Sequence, residues 1–223
     1  MAKLKLVIVG AQGRMGTRIA ELASQDPTLE VSARLDIGSD IGEMKKGKVV
    51  IDFSQANASL PYLEEAIRSR QAYVLGTTGF TKEQERVIQK AARSIALVRS
   101  SNMSLGVNAF FSAAQQIAKT LRDYKVHIQE THHVHKKDAP SGTALQAGGL
   151  IEKVSGQKVT YESFREGEVV GDHRIIFKGP SDSIELFHHA ESRDIFAVGA
   201  IQAAKWVVKK KPGLYSMHDV LGL

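Results

Sequence analysis

The densest run of chemically capable side chains is Glu130-Thr131-His132-His133-Val134-His135-Lys136-Lys137-Asp138-Ala139-Pro140-Ser141-Gly142-Thr143-Ala144-Leu145. A strand delivers histidines and lysines into a loop, and histidine exchanges protons near neutral pH. Pro140-Ser141-Gly142-Thr143 then reads as a helix start, whose backbone N–H groups have no intrahelical acceptor and form a seat for a carboxylate. The lysines upstream add positive charge. Together these residue types suit a small anionic substrate that needs proton transfer. The competing chemistry is a metal site, because His133 and His135 would point the same way along an extended chain. Against it stand the lack of H-E-x-x-H, the absence of cysteine, and two lysines that would repel a cation. No metal is expected. His127, His188 and His189 fall on predicted strands and read as structural or surface residues.

A second candidate site lies near the N-terminus, at Val7-Ile8-Val9-Gly10-Ala11-Gln12-Gly13-Arg14-Met15-Gly16. Glycines at a strand-to-helix junction let the backbone approach a pyrophosphate, and the helix start presents N–H groups to the anion. The spacing is G-x-x-G-x-x-G rather than the commoner G-x-G-x-x-G. Asp36 ends the second predicted strand, where a carboxylate would accept hydrogen bonds from the adenosine ribose. The plainer alternative is a glycine turn that binds no dinucleotide. A carboxylate repels a 2′-phosphate, and Ile37 rather than an arginine follows it, so the reading leans towards NADH. Arg34, on the side of Asp36 by strand alternation, and Arg14 in the turn leave NADPH open.

These sites need a scaffold. Apolar strands at 4–9, 29–35, 49–53, 72–75 and 95–98 alternate with helical periods over 17–24, up to about Arg70, and over 81–94. That rhythm calls for a parallel sheet covered on both faces. After residue 103 it changes: a helix over 106–122 leads to a half-covered strand over 126–131. Strands at 159–164, 173–178 and 183–189 follow without long helices between them, which suggests a mixed or antiparallel sheet. A helix over 199–210 is expected to pack back on the first domain. The expected fold is α/β: a Rossmann-like parallel-sheet cofactor domain from 1–103 and 193–223, and a smaller α+β domain with a mixed sheet over 104–192.

Composition agrees. The 223 residues allow one large or two modest domains, and 43% hydrophobic with 24% charged residues argues against disorder. Without cysteine, neither disulfides nor thiolate sites are available. A net charge of +6 suits anionic ligands or nucleic acid. The longest basic run, Lys209-Lys210-Lys211, ends an apparent helix, where it complements the dipole. No run approaches the ~20 apolar residues of a membrane span, and the N-terminus does not read as a signal peptide. No nucleic acid, no membrane and a cytoplasmic location are expected.

The histidine segment closely resembles the signature E-x-H-H-x-x-K-x-D-x-P-S-G-T-A of 4-hydroxy-tetrahydrodipicolinate reductases, long called dihydrodipicolinate reductases. The resemblance extends along nearly the whole chain. It takes in the glycine turn, Ile51-Asp52-Phe53, Gly76-Thr77-Thr78-Gly79-Phe80 and Ser101-Asn102-Met103-Ser104-Leu105-Gly106-Val107-Asn108, then Arg165-Glu166-Gly167 and Met217-His218-Asp219-Val220-Leu221.

This resemblance implies hydride transfer from NADH or NADPH to a cyclic unsaturated dicarboxylate in lysine biosynthesis, by a homotetramer. It implies that His132 is the proton donor and Lys136 a second proton-handling group. His133, Gly142 and Thr143 match positions that hold substrate carboxylates. Gly10, Ala11, Gln12, Gly13, Arg14, Met15, Asp36, Gly76, Thr77, Thr78, Ser100, Ser101, Asn102 and Met103 match cofactor contacts. Two departures stand out. The stretch between Asp36 and Val49 is shorter than in many relatives, and Ser101-Asn102-Met103 replaces Ala-Asn-Phe, where backbone contacts are expected to survive. The rival readings are a dinucleotide-sensing regulator, for which no helix-turn-helix is found, and another NAD(P)-dependent amino or hydroxy acid dehydrogenase.

Overall fold

A computed structural model describes residues 2–223. The chain falls into two units, one running to Leu105 and resuming over Asp194–Leu223, the other spanning Gly106–Arg193.

The first unit is built on strands β1 (Leu4–Val9), β2 (Leu29–Leu35), β3 (Val49–Asp52), β4 (Ala72–Leu75), β5 (Ala96–Arg99) and, last in sequence, β10 (Gly213–Tyr215). They form one sheet in the order β10-β5-β4-β3-β1-β2, parallel throughout. A parallel sheet needs apolar cover on both faces, and strand alternation provides it. Leu6 and Ile8 join a core with helix α1 (Arg14–Gln25) and helix α6 (Asp194–Val207), while Val7 and Val9 join another with α2 (Ala56–Arg68) and α3 (Lys82–Ala91).

Helix α6 begins before the expected position 199. Gly199 is a packing residue inside the helix rather than its first residue: a Cβ there would stand 1.7 Å from the Met103 carbonyl oxygen. The true start is tied down by an ion pair between Asp194 and Arg18, 2.6 Å from Nε to Oδ1. A 3₁₀ turn over Ile41–Lys46, strand β10 and helix α7 (Met217–Leu221) lie outside the expected elements. Each is too short to show a period.

Helix α4 (Leu105–Thr120) leads into the second unit, which holds β6 (Lys125–His132), α5 (Gly142–Ser155), β7 (Val159–Arg165), β8 (Asp172–Lys178) and β9 (Ser183–His189). The sheet order is β7-β6-β8-β9, with β6 and β7 parallel and the other pairs antiparallel, so the sheet is mixed. Val126, Ile128, Ile175 and Phe177 pack under Phe111 and Ala114 of α4 and Ala144, Ala147 and Ile151 of α5. The opposite face is open, and Gln129, Thr131, Phe164, Asp172, Arg174 and Phe187 line a depression of about 350 Å³ on it.

Candidate active site

Strand β6 alternates so that Val126, Ile128, Glu130 and His132 all face the helix-covered side. The first two are core. The last two carry polar groups into it, with Glu130 1% and His132 8% exposed. Buried polar groups require partners, and the register supplies them: Glu130 lies opposite Ser163 and His173, and His132 opposite Arg165.

The Glu130 carboxylate gathers donors from four residues, Ser163 among them. His132 Nδ1 bonds its Oε2. Arg165 forks onto both oxygens, Nη1 to Oε2 at 3.1 Å and Nη2 to Oε1 at 3.0 Å. The Ser141 backbone N–H donates to Oε1 at 3.2 Å. Ser141 also caps α5, its Oγ accepting from the Ala144 N–H at 3.2 Å, and that Oγ lies 3.1 Å from His173 Nε2. One carboxylate therefore ties a titratable imidazole to the helix start that can seat an anion. Gly142 is exposed there, and a Cβ on it would meet nothing within 4 Å. No acidic residue occupies the first turn of α5.

Electrostatics follow from the packing. Burial pushes the Glu130 carboxyl up, but bonds from Arg165, Ser163 and His132 outweigh it and hold it below the ordinary range. Burial lowers the His132 pKa against the opposing pull of Glu130, with Lys136 and Arg165 pushing the same way as burial. His173, whose ring centroid stands 5.2 Å from that of His132, is pushed down to about 3 by burial and then by His132 and His188.

Beyond His132 the chain leaves the strand, and the Lys136 N–H closes a turn onto the His133 carbonyl at 3.1 Å. The chain is a turn there rather than the expected extended strand, and the His133 and His135 ring centroids stand 6.1 Å apart. His133 Nε2 lies 3.3 Å from Arg193 Nη2, whereas His135 is exposed and lies 3.7 Å from Glu168. Lys136 Nζ bonds Asp138 at 2.8 Å. Arg165 holds this loop as well, donating to the Lys136 and Asp138 carbonyls at 3.3 and 2.6 Å. Sequence reasoning passed over Glu130 and Arg165 as site residues, although both sit in the quoted motifs. Their pairing across 35 positions needs the β6–β7 register.

In the first unit the glycine turn follows β1. Gly10 takes φ +75°, and a Cβ on Gly16 would stand 2.1 Å from the Gly10 carbonyl oxygen, so helix α1 starts hard against the turn. Its N-cap, Gly13, makes no side-chain cap bond, which leaves the helix start to an anion. The Asp36 carboxylate accepts from the Gln12 N–H at 2.9 Å, and the Tyr62 hydroxyl donates to the Asp36 carbonyl at 2.7 Å. Gly10, Gly13, Asp36, Ile37, Phe53 and Tyr62 share one cavity of about 170 Å³. Gly76 lies against Phe53, where a Cβ would come within 2.3 Å of the ring. Thr77 is buried, 3.2 Å from the Asp52 carboxylate, and Thr78 is exposed. Ser100 Oγ donates to the Asn102 carbonyl at 2.7 Å, and Ser101 is exposed. Met103 is 1% exposed in the core. Arg14 and Arg34 are exposed.

Comparison with known proteins gives the family. Residues 4–103 match the family model for the dihydrodipicolinate reductase N-terminus, and residues 106–221 match that for its C-terminus. A 4-hydroxy-tetrahydrodipicolinate reductase of Aquifex aeolicus is 40% identical, with 99% of each chain covered. One of Methanosarcina barkeri is 39% identical over 99% of this chain and all of its own. Among solved structures, the dipicolinate-bound dihydrodipicolinate reductase from Paenisporosarcina superposes with a TM-score of 0.83, covers 96% of this chain and 97% of its own, and shares 22% identity, a likeness of fold. The chain belongs to the dihydrodipicolinate reductase family.

Proposed function

We propose that this NAD(P)H-dependent oxidoreductase reduces 4-hydroxy-tetrahydrodipicolinate to tetrahydrodipicolinate in lysine biosynthesis, with His132 and Lys136 as its proton-handling groups. The observation that carries the residue roles is the Glu130 carboxylate bonded at once to His132 and to the Ser141 N–H at the start of α5. A proton-exchanging ring and an anion seat share one anchor. His133, Gly142 and Thr143 hold the substrate carboxylates on that seat. A bound nicotinamide supplies the hydride. Hydride addition to a conjugated imine builds negative charge, which the His132 proton and the Lys136 ammonium neutralise in the transition state. Lys136, paired with Asp138 at 2.8 Å, exchanges that partner for the substrate.

Gly10, Ala11, Gln12, Gly13, Arg14 and Met15 receive the pyrophosphate, and Gly76 to Thr78 with Ser100 to Met103 face the rest of the dinucleotide. Asp36 accepts from the ribose and favours NADH, since its charge opposes a 2′-phosphate. The half-exposed Phe164 and Phe187 on the open sheet face support sheet-to-sheet association into a homotetramer. No described helix is long and apolar enough to cross a membrane; a cytoplasmic enzyme fits this reading. The test is loss of nicotinamide absorbance with freshly made substrate. Oxidation of NADH or NADPH only when that substrate is added supports the assignment. Tight dinucleotide binding without turnover favours a regulator, and turnover with an amino or hydroxy acid instead favours another dehydrogenase.

A further inference from the structure

We propose that Glu130 is a positioning residue which fixes the tautomer of His132, so that Nε2 is the nitrogen that gives up the proton. The inference rests on the function proposed above and adds to it a residue that touches neither substrate nor cofactor.

The argument starts from the charge on Glu130. Its carboxyl is 1% exposed and takes a two-pronged bond from the Arg165 guanidinium together with the Ser141 N–H. A carboxyl held by three N–H donors from two other elements is ionised, and an ionised carboxylate can only accept. His132 Nδ1 must therefore carry a hydrogen and donate it to Oε2. With Nδ1–H committed, neutral His132 has a bare Nε2, and a proton on Nε2 exists only in the imidazolium. Loss of that proton returns the ring to the Nδ1–H tautomer without disturbing the bond to Glu130. The neighbourhood leaves Nε2 unobstructed by side chain on one side: Gly171 lies there, and a Cβ on it would come within 3.0 Å of Nε2.

Every charged group around His132 enters the balance. Glu130, on the same strand, favours the imidazolium. Burial disfavours it, as do Lys136 on the following loop and Arg165 on β7. Asp138 on that loop is coupled to His132 with the opposite sign, and His173 on β8 is itself held neutral. Glu130 supplies the bonded carboxylate that opposes burial. Removing its charge leaves burial and the two cations in control, so the imidazolium becomes harder to form. A bonded carboxylate orienting an imidazole for proton exchange is the logic of the Ser-His-Asp triad, where replacing the Asp by Asn imposes the wrong tautomer and costs about 10⁴ in turnover.

The same carboxylate anchors the Lys136–Asp138 loop through Arg165 and the start of α5 through Ser141. A purely structural anchor would alter the amount of folded enzyme and substrate affinity but not the pH at which turnover is lost. The experiment therefore reads kcat against pH for the wild type, Glu130→Gln and Glu130→Asp, alongside NADH binding by fluorescence. The expected result is a fall in kcat of at least about tenfold at neutral pH for Glu130→Gln, larger than any rise in KM. The limb on which kcat falls with rising pH should move to lower pH by about one unit or more, while NADH affinity is kept. Glu130→Asp, which restores the charge, should bring that limb back towards the wild type. A Gln variant with an unshifted limb, whether or not its kcat falls, overturns the proposal. Should that variant fail to fold, ¹⁵N spectra of histidine-labelled wild-type enzyme, with the His132 signals assigned by their loss in His132→Gln, decide the matter. An Nδ1–H tautomer supports the proposal and an Nε2–H tautomer overturns it. If the wild type does not turn over the substrate at all, the functional reading fails, and the tautomer still tests this inference separately.

Discussion

Ser141 and His173 meet in the interior of the second unit, with the serine Oγ 3.1 Å from the histidine Nε2. The contact joins strand β8 to the cap of α5. The ring is neutral there, because His173 is 5% exposed and burial, then His132 and His188, push its pKa to about 3. An unfolded histidine titrates near 6.5. Between those values the unfolded chain binds a proton that the folded one refuses, so stability is lost as pH falls from about 6.5 towards 3. The slope from this one group is at most about 1.4 kcal/mol per pH unit. Thermal unfolding at pH 7.5 and pH 5 should therefore show a larger loss for the wild type than for His173→Asn. Equal losses contradict the assignment of a neutral His173.

Gly16 makes a sharper steric demand. An alanine methyl would stand 2.1 Å from the Gly10 carbonyl oxygen, a backbone atom that cannot swing aside. Gly16→Ala should cost about 1–3 kcal/mol in stability, as overpacking does, and weaken NADH binding by distorting the turn. Calorimetry and a fluorescence titration check both. Unchanged cofactor affinity in a folded variant would remove the turn from the cofactor site.

Much of this was legible in the sequence, and for identifiable reasons. The His132 to Thr143 segment and the Gly10 to Gly16 turn are local, so type and spacing suffice. The unbroken apolar run of Leu6 to Val9 likewise announces a strand covered on both faces, and the alternation of Val126 to Thr131 one covered on a single face. What stayed hidden depends on pairing at a distance. The Glu130–Arg165 clamp needs the parallel register of β6 on β7, and the Asp36–Gln12 bond needs β2 placed beside the glycine turn. Gly199 misled as a helix start because its close approach to the Met103 carbonyl is a contact between distant positions. The turn beyond His132 replaced the expected extended chain, although the His133 and His135 rings still stand 6.1 Å apart.

Asp36 should set cofactor preference. Its carboxylate is bonded to the Gln12 N–H, and the neighbouring Ile37 side chain, 79% exposed, offers no charge to a phosphate. The wild type should prefer NADH in kcat/KM, and Asp36→Ala should narrow that preference by about tenfold, the equivalent of ~1.4 kcal/mol. A wild type that uses NADPH at least about tenfold more efficiently contradicts it.

Assembly should depend on the open sheet face. Phe187 is 57% exposed and lies under Arg174, whose guanidinium carbon stands 5.4 Å from the ring centroid. A charge placed there should be costly once the face is covered. Sedimentation should give a tetramer for the wild type at micromolar concentration and smaller species for Phe187→Glu. A wild-type monomer contradicts the proposed association.

Turnover by single-site variants, followed through nicotinamide absorbance with fresh substrate, tests the central claim, that His132 delivers the proton. His132→Gln should lower kcat by about 10²–10⁴-fold while leaving cofactor affinity nearly unchanged, since the glycine turn and Asp36 belong to the other unit. Lys136→Ala should slow turnover and raise the apparent substrate constant, because a lost ammonium weakens attraction for a dicarboxylate. His135, exposed beside Glu168, is the control, and His135→Gln should be mild. Near-normal turnover in the His132 and Lys136 variants with an inactive His135 variant, or an absolute requirement for bound zinc, would contradict the account.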